Sequence, residues 1–210
     1  MTKEIRDAYD LMASQYASFA LGDLDRVPGD REWLAAFAEI ATLCAGPVVD
    51  VGCGPGHIVN HLAELGLSAV GYDISMGLIS EARRAFPELP FQVGDLSLLG
   101  VADSSLGGIV ARYSLIHMSA EYLPDVFGEW LRVLEPGAPI LVSFFASSSA
   151  VAHGSSFDHA VATAYELFPR TVVSELEEAG FGGVEVSARD PLEGERPLKH
   201  ATILARKSRV

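Results

Sequence analysis

The chain has 210 residues, 49% of them hydrophobic and 20% charged, with a formal net charge of -13 at pH 7. This balance excludes a disordered chain, and the length suits one domain with a full core. The acidic excess argues against a surface that grips phosphate backbones, so no nucleic-acid partner is expected.

Residues 4–20 carry Ile5, Ala8, Tyr9, Met12, Ala13, Tyr16 and Phe19 at steps of three and four, one face of a helix. LGDLDRVPGD (21–30) is a turn-rich break. Asp30 is the expected cap of a second helix with Trp33, Leu34, Phe37 and Ile40 on its inner face. From Gly46 onward apolar strands (47–51, 68–72, 90–93, 107–113, 138–145) alternate with helical periodicity (57–65, 75–86, 121–134). Gly66 is placed to end the first of these helices and Ser75 to cap the second. Such alternation predicts an α/β fold, a parallel sheet covered by helices on both faces. FASSSAVAHGSSFDHA (145–160) reads as a polar connection. A helix over about 169–179 ends at Gly180, and two strands, 181–189 and 199–206, close the chain as an antiparallel pair.

The stretch VVDVGCGPGH (48–57) runs a buried strand straight into Gly52, Gly54 and Gly56. Ligands in open α/β sheets lie beyond the carboxyl ends of the strands, and glycine lets a ligand rest against bare backbone. The dinucleotide pattern G-x-G-x-x-G fails here, because His57 stands at its last position. No Gly-Lys-Ser/Thr follows, so this is not a phosphate-gripping P-loop. Asp73 ends the second strand, where a carboxylate can accept both hydroxyls of a ribose. Asp95 ends the third, where an acid can receive an adenine amine. The three tips together suit an adenosine ligand without a pyrophosphate.

The chain resembles a class I S-adenosylmethionine (SAM)-dependent methyltransferase. The resemblance rests on VVDVGCGPGH, GYDISMGLISEAR (71–83), QVGDL (92–96), IVARYSLIHM (109–118) and LRVLEPGAPILVSF (131–144). It implies a three-layer α-β-α sandwich with strand order 3-2-1-4-5-7-6, strand 7 antiparallel. Residues 1–45 would form a helical cap and 46–146 the SAM-binding core. Residues 147–170 would form a lid and 171–210 a last helix with the strand pair, all within one domain. By the same resemblance Asp50, Gly52, Cys53, Gly54 and Gly56 cradle the methionine part, and Tyr16 covers its carboxylate. Asp73 holds the ribose, Ile74 packs on the adenine, Asp95 and Leu96 meet its amine and ring, and Arg112 and Tyr113 stand beside the sulfonium. Glu135-Pro-Gly-Ala-Pro139 departs from the Pro-Gly-Gly usual there, and Pro139 leaves that corner one hydrogen bond short.

Methyl transfer from a sulfonium is an in-line displacement in which alignment supplies most of the acceleration. A base is needed only where the acceptor must lose a proton. His117, His153 and His159 are the candidate bases, the first just past strand four and the others in the lid. His57 and His61 have metal-ligand spacing but no third ligand, so no metal is expected. The expected function is methylation of an oxygen or nitrogen of a small molecule, with S-adenosylhomocysteine (SAH) as the second product. Asn/Asp-Pro-Pro-Tyr/Phe, the signature of amino-group methylation on a base, is missing where ARYSLIHM stands. The alternatives are a protein or RNA methyltransferase, a non-catalytic SAM-binding protein, and a dehydrogenase disfavoured by His57. The first ten residues lack the apolar centre of a signal peptide, and no apolar run nears the ~20 residues that a bilayer requires. Cys44 and Cys53 make no disulfide framework. The expectation is therefore a cytoplasmic protein without a membrane partner, a monomer or homodimer.

Overall fold

In the computed structural model the described residues are 3–22, 24, 26–27, 29–148 and 155–209. Five parallel strands form the centre: β1 (Val48–Val51), β2 (Ala69–Asp73), β3 (Phe91–Val93), β4 (Gly108–Arg112) and β5 (Pro139–Ala146). Helices α1 (Lys3–Ala20) and α2 (Asp30–Ala41) precede them, and α3 (His57–Glu64), α4 (Met76–Ala85) and α5 (Leu123–Val133) connect them. A short hairpin, β6 (Ser155–Asp158) and β7 (Thr163–Glu166), follows β5. Then come α6 (Pro169–Ala179), β8 (Phe181–Arg189) and β9 (Lys199–Lys207). The sheet order is β3-β2-β1-β4-β5-β9-β8, with β9 antiparallel to both neighbours. The hairpin shifts the numbering, so the expected strands six and seven are β8 and β9, and the expected order holds.

Alternation along the strands sends side chains to two cores. Ile109, Ile140, Val142 and Ile203 face one side, where Phe127 and Trp130 of α5 and Leu176 of α6 cover them. Val48, Val110, Leu141 and Leu204 face the other, beneath Phe37 of α2, Ile58 and Leu62 of α3, and Ile79 of α4. Phe37 is fully buried, and a Cβ at Gly108 would stand 2.6 Å from its ring. A glycine in β4 thus lets α2 lie close on the sheet. Truncating a buried phenylalanine of this kind costs ~3–5 kcal/mol. Trp130 is fully buried, and its indole N–H donates to the Leu96 carbonyl at 2.9 Å.

Ser75 caps α4, its hydroxyl accepting from the Leu78 amide at 3.0 Å. Gly66 and Gly180 have φ of 86° and 114° just past α3 and α6, as helix-ending glycines do. Asp30 differs from expectation. The cap of α2 is Gly29, and Asp30 is the first helical residue. Its carboxylate instead receives Arg112 Nε at 3.0 Å and also pairs with Nη2, with both side chains nearly buried. A charge-assisted pair reaching across to β4 wins over a local cap. Pro139 opens β5, the strand position that best tolerates a missing N–H.

The connection after β5 also departs from expectation. It holds the β6–β7 hairpin, docked by Ser147 N–H to the Leu167 carbonyl at 2.9 Å and by Leu167 N–H to the Phe145 carbonyl at 2.8 Å. Ala164 and Leu167 are buried beneath it. Strands of four residues are too short for alternation to announce them. Among the described residues no helix is long and apolar enough to cross a membrane.

Candidate active site

The glycine loop closes the turn from β1 to α3. Gly52 and Cys53 donate to the Tyr72 carbonyl at 2.7 and 3.0 Å, and Gly54 N–H donates to Asp73 Oδ2 at 2.9 Å. Gly52, Gly54 and Gly56 have φ of 74°, 53° and 87°. Two of the three are also required by packing. A Cβ at Gly52 would sit 2.4 Å from Ser114 Cβ, and one at Gly56 would sit 2.6 Å from the Phe91 ring. At Gly54 the nearest atom is Tyr16 Cε1 at 3.6 Å, so bare backbone faces open space beneath a tyrosine.

That space belongs to a cavity of about 670 Å³ at the carboxyl ends of β1, β4 and β5. Its walls bring together Tyr16, Asp50, Gly52, Cys53 and Gly54. Arg112, Tyr113 and His159 complete the set of sequence-predicted residues in its walls. Asp50 is 2% exposed, and among the described residues its Oδ2 has no hydrogen-bond partner. Burial first, then the Asp73 carboxylate, push its pKa up to about 8, against a downward pull from Arg112. An unsatisfied carboxyl oxygen beside glycine backbone that lines the cavity fits the ammonium of an amino acid. Asp50, the Gly52–Gly54 backbone and Tyr16 are thus the residues that would hold the methionine end of SAM.

Gly56, Asp73, Ile74, Asp95 and Leu96 lie outside the cavity walls. Asp73 joins the loop through its bond to Gly54, and its Oδ1 accepts from the Ser75 amide at 2.8 Å. Burial raises its pKa to about 6 against these bonds. Asp95 Oδ1 accepts from the Ser97 amide and hydroxyl at 2.9 and 2.7 Å, in a turn closing on itself. Leu96 is buried in the core and Ile74 half-buried. Helix α1 packs against the start of α4 beside these tips. Asp10 accepts from Ser75 Oγ at 2.6 Å and from the Gly77 amide at 2.8 Å, and a Cβ at Gly77 would stand 2.9 Å from Ala13 Cβ.

His117 stands behind the wall with both ring nitrogens engaged. Nδ1 donates to the Thr163 carbonyl at 2.8 Å, leaving Nε2 to accept from the Tyr9 hydroxyl at 2.8 Å. It ties α1 to the hairpin. His159 faces the cavity. Burial first, then His117 and Arg196, lower its pKa to about 4, so its ring is neutral at pH 7. His153 lies outside the described residues. His57 lines the cavity, whereas His61 turns to Arg31 Nη1 at 3.2 Å. Among the described residues no three side chains gather to hold a metal.

Several wall residues have no motif to announce them. Aromatic rings run edge to face from Tyr16 through Tyr9, His117, His159 and Phe157 to Phe145. Phe145 in turn meets Tyr113 and His200, with centroids 5.2 and 5.1 Å away. Tyr113 Oη lies 2.6 Å from His200 Nδ1, and Glu195 completes that corner. The only trace of His200 in the sequence is a histidine near the start of a strand that also carries Lys199, Thr202, Arg206 and Lys207.

Comparison with known proteins decides the family of the central segment. Residues 48–137 match the model of the family described as a methyltransferase domain. This segment belongs to that family. The fold is that of class I SAM-dependent methyltransferases. A SAM-dependent methyltransferase structure from Mesorhizobium loti superposes with a TM-score of 0.70 at 20% identity, covering 88% of this chain and all (100%) of that one. Among curated relatives, the demethylmenaquinone methyltransferase of Beutenbergia cavernae is 33% identical over 121 residues, 56% of this chain and 49% of that protein. The trans-aconitate 2-methyltransferase of Rhizobium meliloti is 36% identical over 136 residues, 62% of this chain and 48% of that protein. The chain thus spans about half the length of these two relatives.

Proposed function

We propose that this protein is an enzyme that transfers a methyl group from SAM to an oxygen or nitrogen of a small molecule. The observation that carries this reading is Asp50. It is a buried wall residue, with one carboxyl oxygen that has no hydrogen-bond partner among the described residues, in a cavity that Gly54 and several aromatic side chains also line. SAM would supply an electrophilic methyl on a sulfonium. The chain's own residues bind and align: Asp50, the glycine loop and Tyr16 hold the amino-acid end, and Asp73 fixes the loop and faces the ribose. Asp95 and Leu96 serve the adenine, and Arg112 and Tyr113 border the reacting side. Adenosine would lie at the β2 and β3 tips, beside the contact of α1 with the start of α4.

The acceptor would occupy the space enclosed by Phe145, Tyr113 and His159. A cavity of this volume suits a metabolite rather than a macromolecule, and the curated relatives named above carry small-molecule names. We read the chain as one domain working in the cytoplasm. The test is direct. Heat denaturation should shift upward with SAM and with SAH but not with NAD. Labelled SAM with a small-metabolite extract should label a small molecule. Labelling of protein or RNA instead would overturn the substrate class, and absence of any shift would overturn the cofactor.

A further inference from the structure

We propose that Tyr113, His200 and Glu195 form a proton relay serving an aromatic hydroxyl seated against Phe145, which makes the acceptor a phenol or hydroquinol methylated on oxygen. This rests on the methyltransferase reading above and narrows its substrate.

The three residues come from separate parts of the chain: the end of β4, β9, and the loop between β8 and β9. All three border the cavity that holds Asp50 and Gly54. Tyr113 has φ of 54°, a left-handed backbone that a bulky residue adopts only under constraint. The constraint aims its phenol at His200. His200 is 8% exposed, with Nδ1 2.6 Å from Tyr113 Oη and Nε2 3.5 Å from Glu195 Oε2. Glu195 is itself pinned. Arg189 donates to both its oxygens, at 2.6 and 2.8 Å, and the Leu192 amide donates to Oε2 at 2.7 Å. Among the described residues Nε2 makes no hydrogen bond, but the negative carboxylate 3.5 Å away favours the tautomer with its proton on Nε2, which leaves Nδ1 to take the tyrosine proton.

The charged groups facing the imidazole are Glu195 and Arg189, with Asp30 and Arg112 beyond. Burial first, then Arg189, lower the His200 pKa, so the ring is a neutral base at pH 7. The guanidinium of Arg112 lies 5.1 Å from the Tyr113 ring centroid, a cation–π contact that holds the ring in place.

The proton accounting closes. The acceptor O–H bond breaks and its proton passes to Tyr113 Oη, while the proton of Tyr113 passes to His200 Nδ1. The bonding pair stays on the acceptor oxygen, which becomes the nucleophile. The imidazolium rests against Glu195 and returns its proton to solvent when product leaves. Amine acceptors need no such relay once neutral. Phe145 packs against both Tyr113 and His200 with Phe157 beyond, which provides an apolar wall for a ring whose hydroxyl meets the relay.

The test uses the full chain loaded with SAH and 4-nitrophenol as a chromogenic probe of ionisation. Bound probe should ionise at least about tenfold more readily than free probe, seen as the phenolate absorbance band. H200Q, with folding checked by circular dichroism, and Y113F should each bind the probe and abolish that gain. E195Q should reduce it. Probe that binds but ionises as in water, or an unchanged gain in H200Q, overturns the relay. Failure of 4-nitrophenol to bind overturns the acceptor class. A heat-denaturation shift with SAH in the same samples separates the two readings. With the shift present these failures strike the relay alone, and without it the methyltransferase reading falls as well.

Discussion

Asp50→Asn should make this protein more stable at neutral pH while weakening its hold on SAH. The folded chain keeps the Asp50 proton until about pH 8 because the carboxyl is buried beside Asp73. An unfolded chain releases it near pH 4. Between those values the unfolded state binds fewer protons, so stability falls as pH rises, by ~1.4 kcal/mol per pH unit. At pH 7 this amounts to ~4 kcal/mol, and asparagine removes it. The variant still buries an unpaired polar group at ~1–3 kcal/mol, so the net gain at pH 7 is ~1–3 kcal/mol. Denaturant unfolding of both proteins at pH 5, 6 and 7.5 measures this directly, and the gap should widen with pH. Calorimetry in two buffers of different ionisation enthalpy adds the functional half. Wild type should release close to one proton on binding SAH at pH 7, as the ligand's ammonium draws Asp50 into its charged form, and the variant should release none. A variant less stable at every pH, or one with unchanged SAH affinity, would refute the assignment of Asp50 as the ammonium partner.

Five further outcomes rest on the same geometry. Asp73→Ala removes the acceptor for the Gly54 amide and the expected ribose partner, and should weaken SAH binding by about 1–3 kcal/mol by calorimetry. In wild type, SAH affinity should decline below about pH 6 as Asp73 protonates. Gly52→Ala should destabilise the chain by roughly 2 kcal/mol or more, because a Cβ there meets Ser114 Cβ at 2.4 Å on a backbone with φ of 74°. Gly54→Ala, with no contact nearer than 3.6 Å, should cost less stability and more SAH affinity, which thermal melts and calorimetry together resolve. Asp10→Ala removes the bonds from α1 to Ser75 and Gly77, and should lower stability by ~1–2 kcal/mol and speed hydrogen exchange across α1. Exchange in α1 unchanged from wild type would show that Asp10 is not its latch.

The sequence by itself determined the alternation of strands and helices, the glycine bend after β1, the Ser75 cap and the helix-ending Gly66 and Gly180. These are local matters: each depends on residues within one or two turns, through periodicity and backbone freedom. The sheet order came with the family resemblance carried by the ordered motifs. Tertiary structure alone decided which polar groups meet. It took Asp30 from a helix cap to Arg112, and engaged both nitrogens of His117 with Tyr9 and Thr163. It folded a hairpin where a polar connection was expected, and brought His200 to Tyr113 across 87 positions. Pairings at such separation leave no period in the chain. A lone histidine in a strand reads the same whether it faces solvent or a tyrosine, and only the closed sheet with its edge strands reversed makes the difference.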